Sequence, residues 1–142
     1  NHGTNSFRDL VGKDGGADSV WELNRDGSAY FSGSVDIGLS STSYQENTDV
    51  DSAAAETIAT VVLADYDCAF FDYIIKNGTN LRAGTVMAVH DGTNIEYTET
   101  STNDLGDTTD VVLSVDIDGT DLRLRATVAS DDWSIKTLTR TL

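Results

Sequence analysis

Apolar residues recur at every second position over much of the second half of the chain. Val111, Leu113, Val115 and Ile117 alternate with polar neighbours, and Leu122, Leu124, Ala126 and Val128 alternate with Arg123, Arg125 and Thr127. A period of two gives an extended strand one apolar face. Further strands are expected at 81–90 around Leu81, Ala83, Met87 and Val89, at 94–100 around Ile95 and Tyr97, and at 133–140 around Trp133 and Ile135. The β-branched run at 56–63 reads as a strand despite the helix-favouring Ala53-Ala54-Ala55 before it. Residues 67–76 differ, because Ala69, Phe71, Tyr73 and Ile75 fill one parity while Cys68, Phe70 and Ile74 fill the other. A strand that is apolar on both sides needs cover on both. Seven strands are thus expected between 53 and 142.

The connections define how they pair. One phrase recurs between the expected strands: Asn77-Gly78-Thr79-Asn80, Asp91-Gly92-Thr93-Asn94 and Asp118-Gly119-Thr120-Asp121. Asn-Gly and Asp-Gly supply the positive φ that tight hairpin turns require, so each phrase predicts a hairpin. The link 129–132 is equally short and suggests another adjacent pair, whereas 101–109 is long enough to cross between sheets. The expected fold is an all-β antiparallel β-sandwich.

The first third has a different texture. Residues 1–43 are rich in Gly, Ser and Asp, with short apolar groups at 20–23 and 30–37. Ala29, Phe31, Val35 and Ile37 share one parity and predict a strand with an apolar face that so short a segment cannot bury by itself. Residues 40–52 are polar without periodicity and read as a linker. The expected division is a β-rich segment with its linker at 1–52 and a compact domain at 53–142.

Charge narrows the function. The chain has 24 acidic and 9 basic residues, for a net charge of −15. Binding nucleic acid relies on basic residues that neutralise phosphates, and an anionic membrane surface makes the same demand, so neither is an expected partner. No apolar run reaches the roughly 18 residues of a membrane-spanning helix, and no direct membrane insertion is expected. No proline is present, and the single Cys68 permits no internal disulfide; its apolar strand suggests a buried, inert thiol.

Candidate chemistry is sparse. Asp116, Asp118 and Asp121 around Gly119 echo the opening of a calcium loop but lack its downstream Glu, so a hairpin turn with solvated carboxylates is the competing reading. Asp104, Asp107 and Asp110 form a second acidic group on the longest loop. His90 ends a strand with no nucleophile elbow in the sequence, and a glycosidase needs a deep cleft for its raised-pKa acid, so no enzymatic activity is expected. Tyr44, Trp21 and Trp133 have the least core-like positions among the aromatics and are candidates for stacking on a sugar; the alternative is that each Trp packs in a subunit or interdomain contact.

The run Phe70-Phe71-Asp72-Tyr73-Ile74-Ile75-Lys76-Asn77-Gly78-Thr79-Asn80-Leu81-Arg82-Ala83-Gly84, with Glu96-Tyr97-Thr98-Glu99-Thr100 and Asp131-Asp132-Trp133-Ser134-Ile135-Lys136, resembles a C-terminal module of bacteriophage tail-fibre and other virion structural proteins. Residues 21–35 are similar to the short β-repeats of fibre shafts. The resemblance implies a non-enzymatic homotrimeric tip that displays a host-recognition surface, a virion location, and a host glycan or protein as the partner. It carries no catalytic residues. A trimer also suits the residues themselves, since Phe70, Ile74 and Phe31 would find cover against symmetry mates. A carbohydrate-binding module and a purely structural virion spacer are the alternatives. The polar, Gly-rich start suggests the distal piece of a longer chain.

Overall fold

The computed structural model describes residues 10–13, 19–23, 28–31 and 33–142, and every regular element among them is a strand. Two compact units divide at Val35 and Asp36. In the first, β1 (Leu10–Lys13), β2 (Ser19–Leu23) and β3 (Ala29–Phe31) form an antiparallel sheet in that order. In the second, β4 (Val35–Ile37), β5 (Ser40–Val50), β6 (Glu56–Val62), β7 (Cys68–Asn77), β8 (Asn80–His90), β9 (Ile95–Ser101), β10 (Val111–Asp118), β11 (Asp121–Val128) and β12 (Trp133–Thr141) make two sheets. Their orders are β4-β5-β12-β7-β8-β9 and β10-β11-β6.

Each of the seven strands expected beyond residue 53 is present. Alternation builds one core from both sheets: Phe71, Ile75, Val86 and Ile135 from the larger meet Ile58, Leu113, Leu122 and Leu124 from the smaller in a single buried cluster. The recurring turn phrase closes hairpins at β7–β8, β8–β9 and β10–β11. Gly78 (φ +59°) and Gly119 (φ +62°) each take the first central position of a two-residue turn, where a Cβ would be strained. In the third turn the Asp91 carboxylate accepts the N–H groups of Thr93 and Asn94 and the Asn94 amide. Those bonds, the Asn94 backbone first, hold its carboxyl down at about 2.

Four expectations are corrected. Residues 40–50 are not a linker but the 11-residue strand β5, paired along β12 from Ser41 to Val50. Their inward side chains lie opposite the buried Thr137, Thr139 and Thr141 of β12, so the strand needs no apolar alternation. Thr137 Oγ1 donates to the Gln45 carbonyl at 3.0 Å. Gln45 also turns its amide to the edge of β6, accepting from Thr60 N–H at 2.8 Å and donating to the Thr60 carbonyl at 3.0 Å, as a neighbouring strand would.

The apolar parity across 29–37 is broken into β3 and β4, which pair with β2 and β5 respectively. The link 129–132 is not a hairpin, because β11 and β12 belong to different sheets. It turns the corner at Asp132, with φ +66°, while Ser130 and Asp131 bond to Asp110 and Ser52. Cys68 is half-buried rather than enclosed. The long connection 102–110 crosses between the sheets as its length suggests.

Candidate interaction surface

The two parities of β7 have different fates. Ala69, Phe71, Tyr73 and Ile75 enter the core, while Cys68, Phe70, Asp72, Ile74 and Lys76 face away from it. Register continues that outer face sideways. Phe70 lies beside Met87 and Arg140, Asp72 beside Thr85 and Leu138, and Ile74 beside Ala83 and Lys136. Beyond β12, Leu138 pairs with Tyr44 and Lys136 with Glu46 on β5. Tyr44, Ile74, Met87, Val89 and Leu138 are all exposed, so the face is apolar and open.

Two acid–base pairs close within the sheet. Lys136 Nζ stands 3.1 Å from Glu46, and the Tyr44 hydroxyl donates to Glu46 at 2.6 Å. The Tyr44 bond first, then Lys136, holds the Glu46 carboxyl below its ordinary value, and the same bond raises the Tyr44 hydroxyl. Arg140 Nε donates to Asp72 at 3.0 Å, with its guanidinium 5.0 Å above the Phe70 ring. Burial alone would raise the Asp72 carboxyl; bonds from Thr85 and Arg140 outweigh it and hold it low. Tyr44, Asp72, Ile74, Thr85, Lys136 and Leu138 border a shallow depression of about 430 Å³.

The aromatic candidates separate. Tyr44 is on this face at 56% exposure. Trp133 is not a surface residue: at 2% exposure it is buried in the chain's own core, with Nε1–H donating to Ser130 Oγ at 3.0 Å. That removes it as a stacking platform and as a subunit contact. Trp21 lies in β2, opposite Phe31 of β3, and its side chain lies outside the described residues. Of the proposed trimer contacts, Phe70 and Ile74 share the outer face, while Phe31, 47% exposed, is in the first unit.

The acidic hairpin has a partner that the sequence reading overlooked. Arg123 grips Asp116 at 2.8 Å through Nε and Nη2 and reaches Asp118 at 2.6 Å, while Arg125 reaches Asp116 at 3.0 Å. Asp116 pairs with Arg123 across β10 and β11, so alternation delivers these cations to two of the three hairpin carboxylates, which are ion-paired rather than merely solvated. The Arg123 bond, opposed by some burial and assisted by Arg125, holds the Asp116 carboxyl below its usual value. Asp116→Asn is therefore expected to lower stability at neutral pH. A depressed folded pKa contributes above the unfolded value of about 4 and is lost as pH falls through the lower folded one. Urea midpoints of variant and wild type should differ at pH 7 and converge in acid. A constant gap would refute the linkage.

A different acidic group does converge. Carboxylate oxygens of Asp49, Asp51 and Asp132 lie within 4.8 Å of one another, brought together by the end of β5 and the corner before β12. Asp104, Asp107 and Asp110 instead accept bonds from Thr108, Thr109 and Ser130 respectively. His90 is buried, accepting Gly92 N–H at Nδ1 and bonding the Tyr66 carbonyl through Nε2 at 2.7 Å, so its ring ties the 91–94 turn to the connection between β6 and β7.

No protein-family model, curated protein or solved structure matches the chain. Among the described residues no helix is long and apolar enough to cross a membrane. The outer sheet face is what the residues offer for function. Sequence reasoning found its Phe70 and Ile74 but not its assembly with Leu138 and Met87. Leu138 and Leu142 on the opposite parity to Trp133 and Ile135 were the available signal.

Proposed function

We propose that this chain is a non-enzymatic tip or related appendage domain of a phage tail fibre, working as a homotrimer that attaches the virion to a glycan or protein on the host surface. In this reading the two sheets of the second unit form a β-sandwich, and the first unit belongs to the fibre leading to it. The observation that supports it is the exposed apolar outer face of the six-stranded sheet, which an isolated domain leaves against water. The phage assignment rests on the sequence resemblance.

Light scattering on the full chain is expected to return three times the 15.2 kDa of one chain, and the assembly should resist SDS at room temperature because intertwined chains separate slowly. A stable monomer would overturn the proposal. Adsorption of the purified trimer to host cells, and its competition with infection, tests the attachment role. A trimer that neither adsorbs nor competes would be a structural spacer.

A further inference from the structure

We infer that the outer face of β5, β12, β7, β8 and β9 is the surface through which copies of this chain contact one another. The inference rests on the homotrimer proposed above and gives it a specific contact. What commits the face to a second copy is charge. The outward, in-register positions of these strands carry three basic residues (Lys76, Lys136, Arg140) and three acidic ones (Glu46, Asp72, Glu96). The rest of the unit Asp36–Leu142 carries 16 acidic residues against 3 basic. Bringing two such molecules together elsewhere sets like charges against each other. Across this face they meet at zero net charge.

The face is also suited to being covered. Tyr44, Ile74, Met87 and Leu138, each between 39% and 56% exposed, present apolar surface around two ion pairs already closed within the sheet, Glu46–Lys136 and Asp72–Arg140. Charges that carry their own counter-ions need none from the partner, so a copy that covers them leaves neither pair with an uncompensated charge. A strongly anionic or cationic partner finds no net field here. The smaller sheet differs in balance: its outward positions set Asp116, Asp118 and Asp121 against Arg123 and Arg125, so two copies meeting there would each bring a net negative charge.

The test introduces like charge on this face and on a control face. Ile74→Glu with Met87→Glu is expected to reduce the mass in light scattering to one third. Val112→Glu, at the more exposed Val112 of β10 (60%), should leave it unchanged. Circular dichroism checks that each variant is folded. Met87, the single methionine, provides a second measurement: oxidation by peroxide, read by intact mass, should be several-fold slower in the wild-type assembly than in a monomeric Ile74→Glu single variant. That comparison decides the matter if the double variant fails to fold.

A wild type that is monomeric overturns both the homotrimer and this contact. A wild-type trimer that survives the double substitution, or whose Met87 oxidises at the monomer rate, overturns only the contact. A double variant that stays trimeric but no longer adsorbs to cells makes the face a receptor surface and likewise overturns it.

Discussion

Trp133→Ala is expected to lower the free energy of unfolding by about 3–5 kcal/mol, the cost of removing a large buried aromatic and leaving a cavity. Marginal domains hold only roughly 5–15 kcal/mol in total, so the variant should unfold at a much lower urea midpoint or fail to accumulate. Trp133 is 2% exposed in the core cluster, and its indole N–H is spent on Ser130 at the corner between the sheets. Ser130→Ala, which removes that bond and the one Ser130 donates to Asp110 but leaves no cavity, should cost less, about 1–2 kcal/mol. Tyr44→Ala should cost about 1 kcal/mol or less, since Tyr44 is more than half exposed. Equal losses for Trp133→Ala and Tyr44→Ala would mean that Trp133 is not in the core.

The second large effect is expected at Gly84. It sits in β8 opposite Tyr73 of β7 and Ser101 of β9. A Cβ placed there meets the Thr100 carbonyl oxygen and stands 2.8 Å from the Tyr73 hydroxyl and 2.9 Å from its ring. The backbone conformation is ordinary, so the glycine is needed for space. Tyr73 crosses it to donate its hydroxyl to Glu99, which Arg82 also approaches at 3.6 Å. Gly84→Ala must displace the Tyr73 ring or the edge strand β9. Overpacking costs roughly 1–3 kcal/mol, and losing a bond to a charged acceptor adds about 1.5–3 kcal/mol. A spectroscopic readout separates this from general weakening. Burial first, and then Glu99, pushes the Tyr73 hydroxyl up to about 12. In the variant, one tyrosine should ionise at a lower pH than in the wild type. If stability and that titration are both unchanged, the close approach is absent.

Much of the second unit was legible from alternation and turn chemistry. The core positions of β10 and β11 read directly, because each strand buries one face and the period of two marks it. The hairpins read directly too, since glycine meets a local backbone demand. β5 was not legible. Its inward Ser41, Ser43 and Gln45 face the threonines of β12 and the edge of β6, so it is held by hydrogen bonds that leave no apolar pattern. The corner at 129–132 misled for a related reason: loop length limits reach but does not say whether the next strand joins the same sheet.

The outer face was half legible. Doubly apolar β7 announced that a second surface existed, and Phe70 and Ile74 were identified from it. Its neutrality depends on Lys136 and Arg140 lying beside Glu46 and Asp72, groups 68 or more residues apart in sequence. The same holds for the acidic hairpin, where Asp116 and Asp118 meet Arg123 and Arg125 of the facing strand.

The sequence by itself determined the seven strands beyond residue 53, the three glycine hairpins and the acidic balance of the chain, because these depend on residues near one another or on totals. Only the tertiary structure decided which strands share a sheet, that Trp133 is buried while Tyr44 is not, and where a chain of net charge −15 keeps a neutral apolar face. Those outcomes depend on pairing between distant strands, and the register of that pairing, rather than any local pattern, sets which side chains become neighbours.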